Sequence, residues 1–213
     1  EFGFRIEQED KAEPDSSKLL GIPFIEDETD RLKWIAHLEF STNSHGDLNF
    51  ESNSITKSEK LRNMVINEGI PHSLRPNLWM CLSGAYEKRR KSQSSYTDII
   101  KESNIDHLVT SKQIEKDLTR ILPSNNCFAS FNCTGIPRLR RILRAIAWMF
   151  PDIGYCQGTG VIVASLLLFL EEEECFWLMA TIVEDLLPAS YYSSNLLGIQ
   201  ADQRVLQTLL ANY

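Results

Sequence analysis

Two polar segments, about 40 residues apart, carry side chains that could act on a phosphate group. In the first, Asp117 precedes Arg120 by three residues; in the second, Gln157 follows Tyr155 by two. Arginine can neutralise charge on a transferring phosphoryl group, and glutamine can orient the attacking water, which are the two contributions that GTP hydrolysis most often needs. The two segments are therefore candidates for joint action on a nucleotide.

The spacing of the first segment fits one edge of a helix. Ile114, Asp117 and Arg120 lie at i, i+3 and i+6, within about a third of the helix circumference. Ile114 can then anchor in a core while Asp117 and Arg120 emerge together. An isolated pattern of this kind also describes an ordinary surface Asp–Arg pair, worth a few tenths of a kcal/mol. The spacing alone leaves both interpretations open.

The second segment is a glycine-rich loop that contains Gln157. Glycines at 154, 158 and 160 permit tight turns and close approach by another molecule. The loop lacks the lysine of a phosphate-binding loop and follows a predicted helix rather than a strand, so nucleotide binding by this chain itself is disfavoured. A glutamine can position water but cannot act as a general base. We find no nucleophile elbow or paired inward carboxylates elsewhere.

Composition narrows the function classes further. Apolar residues make up 43% and charged residues 24%, with a net charge of −7. The acidic excess lies mainly before residue 63, and the nearly neutral remainder argues against nucleic-acid binding. The longest apolar run, 161–170, is too short to span a bilayer. Five cysteines without a CxxC spacing favour a reducing compartment and argue against a metal site.

The chain divides by composition near residue 54. Residues 1–54 form an acidic and polar extension with linker-like stretches, expected to be flexible or loosely docked. The alternative is that Trp34 and its apolar neighbours dock onto the main domain. Residues 55–213 form the expected domain. The sequence begins without Met, and we expect it to be a fragment of a longer protein.

Helical periodicity dominates residues 55–213, and no convincing alternating strand appears, so an all-α fold is expected. An apolar stripe with Arg140, Arg141 and Arg144 opposite it predicts an amphipathic helix whose basic face is either solvated or meets an acidic partner. The run 161–170 is apolar all round, which is typical of a buried helix. The helices are expected over about 55–68, 73–86, 110–123, 137–150, 161–170, 171–188 and a last one including 205–213, with a loop after residue 91.

From Gly69 onward the chain resembles the amino-terminal part of a TBC domain, the GTPase-activating module for Rab proteins. Three family signatures match in order, and the wider sequence is similar to the small G-protein signalling modulator subfamily. The signatures are RxxxW at Arg75–Trp79, IxxDxxR at Ile114–Arg120 and YxQ at Tyr155–Gln157.

This resemblance implies an all-α, multi-helix TBC-type domain, truncated at its carboxyl end because a second helical half usually follows. Arg120 would be an arginine finger and Gln157 a glutamine finger, both supplied in trans to a Rab GTPase. Asp117 and Tyr155 would shape and orient this pair. Arg75 and Trp79 would have a mainly structural role.

The resemblance also implies an activator rather than an enzyme, without a cofactor or metal of its own, because GTP and Mg²⁺ belong to the partner. A cytoplasmic regulator of vesicle trafficking is expected, with peripheral recruitment to membranes through partners. The alternative is a TBC-like scaffold that binds small GTPases or other partners without stimulating hydrolysis. Two departures from the family are noted: Ile121 stands where Thr is frequent, and Thr159-Gly160 replaces the usual Met-Asn.

Overall fold

A computed structural model describes residues 3, 26–41, 58–105, 109–188, 191–192 and 195–211. These ranges contain helices and no β-strand, so the expected all-α fold is confirmed. The helices are α1 (Glu28–Ser41), α2 (Glu59–Asn67), α3 (Arg75–Ser83), α4 (Ala85–Lys91), α5 (Tyr96–Ser103), α6 (Val109–Asp117), α7 (Gly135–Met149), α8 (Thr159–Leu167), α9 (Glu172–Thr181) and α10 (Leu197–Ala211). A 3₁₀ turn, Leu118–Arg120, extends α6, and a π-helical turn, Ile182–Leu186, extends α9.

Helix α7 lies at the centre of the main core and contacts α5, α6, α8 and α9. Its predicted apolar stripe is confirmed, since Leu139, Ile142, Leu143 and Ile146 are all buried. This spacing gives an apolar face wide enough for neighbours on several sides. Helix α7 thereby fixes α6 and α8 relative to each other, and these two helices adjoin the two polar segments.

Three of the four arginines of α7, namely Arg140, Arg141 and Arg144, pair with carboxylates within the chain. Arg140 and Arg144 both bond to Glu115 of α6, with Nε–Oε1 and Nη2–Oε1 distances of 2.7 and 3.0 Å. Arg141 makes a two-pronged contact with Glu172 of α9, at 2.7 and 2.6 Å. Arginine forks suit such bidentate pairing with carboxylates. These arginines therefore tie α7 to α6 and α9, and the acidic groups that they meet belong to the chain itself, although the Arg141 side chain remains 42% exposed.

Two predictions failed between residues 73 and 105. The single helix expected over 73–86 is broken at Gly84, whose φ of 89° ends α3 in the left-handed conformation that glycine adopts without strain. The expected loop after Lys91 contains α5, which the sequence analysis missed. Ser95 caps α5 by accepting a hydrogen bond from the Asp98 amide, and Tyr96 anchors the helix in the core.

The apolar run after residue 160 is less buried than expected. In α8, Val163 and Ala164 are buried, whereas Val161 is 46% exposed. Helix α8 therefore has one buried face, not a buried circumference. Helix α10 has no buried residue at all, and its exposed apolar side chains include Leu206 and Leu210. No helix in the described ranges has the length and apolar character that a membrane crossing requires.

The expectation of a loose extension is wrong for α1, and the docking alternative is confirmed. Trp34 and Leu38 are fully buried in a second apolar cluster that α1 shares with α2 and α3. Glu26, just before α1, accepts hydrogen bonds from the amide and hydroxyl of Ser73 at 3.1 and 2.7 Å. The expected domain boundary at residues 54 and 55, like most of the extension, lies outside the described residues.

Candidate functional site

The first polar segment lies where α6 changes into a 3₁₀ turn. The helix expected to continue to Pro123 ends at Asp117 instead. Side chains at i and i+3 nearly eclipse each other in 3₁₀ geometry, which favours contact between Asp117 and Arg120. An Nη2 group of Arg120 donates to Oδ1 of Asp117. Asp117 is buried, whereas the Arg120 side chain is 66% exposed, so a buried carboxylate holds an outward-facing guanidinium.

Tyr155 joins the second polar segment to the first. Its hydroxyl donates to Oδ2 of Asp117 at 3.0 Å, so one carboxylate receives Arg120 on one oxygen and Tyr155 on the other. Burial, and then the hydrogen bond to Asp117, raise the pKa of Tyr155 above its ordinary value. The phenol therefore stays protonated and remains a donor at neutral pH. The structure thus brings together three of the predicted site residues by direct contacts.

Gln157 lies in the turn between Tyr155 and α8. Gly154 and Gly158, with φ of 60° and 105°, supply the left-handed conformations on either side. The Thr159 hydroxyl closes the turn by donating to the Cys156 carbonyl at 2.8 Å. Gln157 is exposed, and within the described residues no hydrogen bond involves its side-chain amide. The backbone therefore presents this amide to solvent.

Arg75 and Trp79, the pair of the RxxxW signature, contact neither Arg120 nor Gln157 and instead hold α3 in place. Arg75 donates from Nε to the Ile70 carbonyl at 2.8 Å, and its guanidinium lies 5.8 Å from the centre of the Phe169 ring. Trp79 packs on the same ring with a centroid distance of 5.1 Å. These contacts fix α3 against the end of α8 and agree with a structural role. Phe169 gives no motif signal in the sequence, because it is a lone aromatic in an apolar run.

Two further residues, at positions where the sequence departs from the resembled family pattern, meet beside the site. Ile121 directly follows Arg120 and is buried, and Gly160 lies in the first turn of α8. A Cβ atom built on Gly160 would overlap the Cδ1 methyl of Ile121 and lie 3.6 Å from the Tyr155 hydroxyl. The two polar segments are therefore in contact at a second point besides the Tyr155–Asp117 hydrogen bond.

Among the described residues, no group of three or more His, Cys, Asp or Glu side chains could hold a metal ion. The five cysteines are not in disulfides. Burial raises the pKa of the Cys156 thiol, next to Gln157, which makes it a poorer nucleophile at neutral pH.

In this helical fold, one buried carboxylate thus bonds an exposed arginine and the tyrosine that lies two residues before an exposed glutamine. Residues 72–213 match the family model of the Rab-GTPase-TBC domain. The chain therefore belongs to the Rab-GTPase-TBC domain family, and the expected family is confirmed.

The chain is similar over its whole length to small G protein signaling modulator 3. Identity is 57% with the human protein over 216 residues and 58% with the Xenopus laevis homolog over 216 residues. The chain spans 29% of the length of these two relatives. Human TBC1 domain family member 2B is 39% identical over 72% of the chain.

Solved structures agree with the fold. The Chlamydomonas flagellar RabGAP TBC domain superimposes with a TM-score of 0.61 at 28% identity, over 77% of this chain and 53% of that chain. The Ypt/Rab-GAP domain of Gyp1p gives a TM-score of 0.59 at 20% identity, over 85% of this chain and 65% of that chain, and supports the fold alone. The TBC-type helical architecture is therefore established.

Proposed function

We propose that this chain stimulates GTP hydrolysis by a Rab GTPase, with Arg120 and Gln157 inserted in trans into the partner's active site. The observation that carries the proposal is the bridge at Asp117. This carboxylate accepts from Arg120 on one oxygen and from Tyr155, two residues before Gln157, on the other. One buried anchor thus holds the segments of both proposed fingers.

Arg120 suits the role of neutralising charge on the transferring phosphoryl group. Its guanidinium is permanently charged and has five N–H donors, of which the contact with Asp117 uses one Nη2 group. The exposed side chain leaves the remaining donors available to phosphate oxygens. Fingers of this kind contribute on the order of 10³ to 10⁵ in rate, equivalent to about 4 to 7 kcal/mol.

Gln157 suits the role of positioning the attacking water. Its amide offers both a donor and an acceptor, and it cannot remove a proton at neutral pH. The turn between Gly154 and Gly158 fixes the backbone of Gln157, so its side chain would extend toward the water from a fixed Cα position. Orientation of this kind makes the attack effectively unimolecular.

The chain would complete another protein's active site rather than catalyse alone. GTP and Mg²⁺ would be bound by the Rab, and the chain itself would need no cofactor. A protein of this kind would regulate vesicle trafficking from the cytoplasm and would reach membranes through its partners. The proposal also assigns residues 55–213 to the amino-terminal portion of the activating domain, and residues 1–54 to an extension whose helix α1 packs on α2 and α3.

The test is single-turnover GTP hydrolysis by a panel of purified Rab proteins, with the full-length protein at saturating concentration. At least one Rab should respond, and Arg120→Ala and Gln157→Ala should each abolish most of the response. Arg62→Ala is a matched control, because Arg62 is also 66% exposed and also pairs with a carboxylate three residues away, that of Glu59. Rab binding with no stimulation by the unmutated protein would support the scaffold alternative instead.

A further inference from the structure

The contact between Ile121 and Gly160 joins the residue after one proposed finger to the helix that follows the other. Ile121 comes directly after Arg120 at the end of the 3₁₀ turn, and its amide bonds to the Leu118 carbonyl. Gly160 is the second residue of α8, three positions after Gln157. A change in this contact therefore shifts both finger segments relative to each other.

The space at this contact is filled. Besides overlapping Cδ1 of Ile121, a Cβ atom on Gly160 would lie 3.3 Å from Cγ1 of the same side chain. Ile121 is 5% exposed and belongs to the main core, so neighbouring side chains limit its alternative rotamers. A side chain at position 160 must therefore move Ile121 or move the start of α8.

We infer that Ile121 and Gly160 are positioning residues that set the separation of Arg120 and Gln157, an inference that rests on the function proposed above. The hydrogen bond from Tyr155 to Asp117 fixes one point between the segments but allows rotation about it. The close packing of Gly160 on Ile121 supplies a second point. Two points of contact define the orientation of the glutamine turn relative to the arginine turn.

A long Ile side chain after Arg120 fits here because position 160 has no Cβ. Any side chain at position 160 would place its Cβ in the space that Ile121 occupies. The large residue at position 121 and the glycine at position 160 are thus sterically matched.

A double-mutant cycle in the full-length protein tests this inference. Gly160→Ala introduces the Cβ, Ile121→Val removes Cδ1, the atom it would overlap, and the double variant contains both changes. Single-turnover hydrolysis by a responsive Rab, Rab affinity and the thermal unfolding midpoint are measured for each. Val161→Ala, an exposed change at the next position of α8, is the matched control.

We expect Gly160→Ala to lower the hydrolysis rate about tenfold, since a 1 Å misplacement of reacting groups can cost on the order of a hundredfold. Ile121→Val, which loosens the contact without forcing an overlap, should lower the rate by less than Gly160→Ala does. The double variant should be faster than Gly160→Ala, because the overlap is gone. Rab affinity should not change. Alanine is a better helix former than glycine, so helix propensity does not predict a loss.

Three results would overturn the inference. They are an unchanged rate in Gly160→Ala, a double variant as slow as Gly160→Ala, and a double variant that recovers its unfolding midpoint but not its hydrolysis rate. Arg120→Ala and Gln157→Ala are measured in the same assay. If these two retain the full rate, the proposed function has failed. If they abolish the rate while Gly160→Ala keeps it, only the positioning inference has failed.

Discussion

Arg120 and Gln157 are both exposed, but the molecule holds them by different means. Arg120 is fixed through its side chain, which donates to the buried carboxylate of Asp117. Gln157 is fixed through its backbone, in a turn set by Gly154 and Gly158, and its amide makes no hydrogen bond within the described part of the chain. The Arg120 guanidinium is therefore oriented in the free chain, whereas the Gln157 side chain retains its rotamer freedom.

This difference matches the task proposed for each side chain. A guanidinium near its final orientation loses little freedom when it meets phosphate oxygens. An amide that positions water must adjust to both the water and the partner, and it loses rotamer freedom in doing so. The arginine segment should therefore be sensitive to side-chain changes around it, and the glutamine segment to changes that alter the backbone.

The largest effect should come from the arginine. Arg120→Ala should lower the stimulated rate by on the order of 10³-fold or more, and Arg120→Lys should fail nearly as badly, because an ammonium cannot replace a planar fork bridging two phosphate oxygens. Rab affinity in the ground state should be largely kept, since these contacts form chiefly in the transition state. Single-turnover hydrolysis and equilibrium binding measure the two quantities. A lysine variant with wild-type rate would show that charge alone suffices.

The next effect should come from the glutamine. Gln157→Ala should lower the rate by about a hundredfold, because the attacking water loses its orientation. The double variant with Arg120→Ala should lose less free energy than the sum of the single losses, since both groups act on one transition state. Additive losses in the same single-turnover assay would mean that the two side chains stabilise the transition state independently of each other.

A smaller effect should follow when the link between the segments is cut. Tyr155→Phe removes the donor to Asp117 and leaves a buried carboxylate oxygen unpaired, which should reduce the free energy of unfolding by about 1 to 3 kcal/mol. The stimulated rate should fall about tenfold by the misplacement argument. Because burial and Asp117 raise the pKa of Tyr155, the difference should stay constant between about pH 6 and pH 9.

Tyr96→Phe is the matched control for this change. The Tyr96 hydroxyl donates to the Glu172 carboxylate at 2.8 Å, also in a partly buried setting, but this bond joins α5 to α9 and involves neither polar segment. It should lose similar stability in chemical denaturation while keeping the hydrolysis rate. Equal rate losses in the two variants would show that Tyr155 acts only through general stability.

The strongest periodic signals in the sequence predicted the fold well. The apolar spacing of α7 is buried as expected, and the acidic start of α9 is likewise confirmed. The single core face expected for α9 is not found, because all residues from 175 to 181 are buried. Short elements were not predictable in this way. Helix α5 has only eight residues, and its formation depends on the burial of Tyr96 against Phe176, at a ring distance of 5.0 Å from a residue far along the chain. Tertiary packing of this kind leaves little local signal.

The functional site, like the fold, could be predicted only in part from the sequence. Residue types and spacing identified Asp117, Arg120, Tyr155 and Gln157 as candidates, since these chemical groups are visible in the sequence. Their connection was not visible, because the Tyr155–Asp117 hydrogen bond spans 38 positions and depends on how α7 orients α6 and α8. The change of α6 into a 3₁₀ turn was also missed, since no breaker residue lies between Asp117 and Arg120.

The smallest effect on hydrolysis should come from the amino-terminal part of the chain. Removing residues 1–27 should leave the stimulated rate within about threefold, under a kcal/mol, because α1 and its cluster with α2 and α3 are kept. Trp34→Ala should instead lower the free energy of unfolding by about 3 to 5 kcal/mol through the cavity it leaves. Trp34→Phe should cost less, because the indole N–H is buried without a hydrogen-bond partner in the described residues and its loss breaks no bond. Both variants should keep the rate per folded molecule. A truncated protein that is folded but more than tenfold slower would place part of the active surface before α1, and the two exposed side chains would not then suffice for the chemistry.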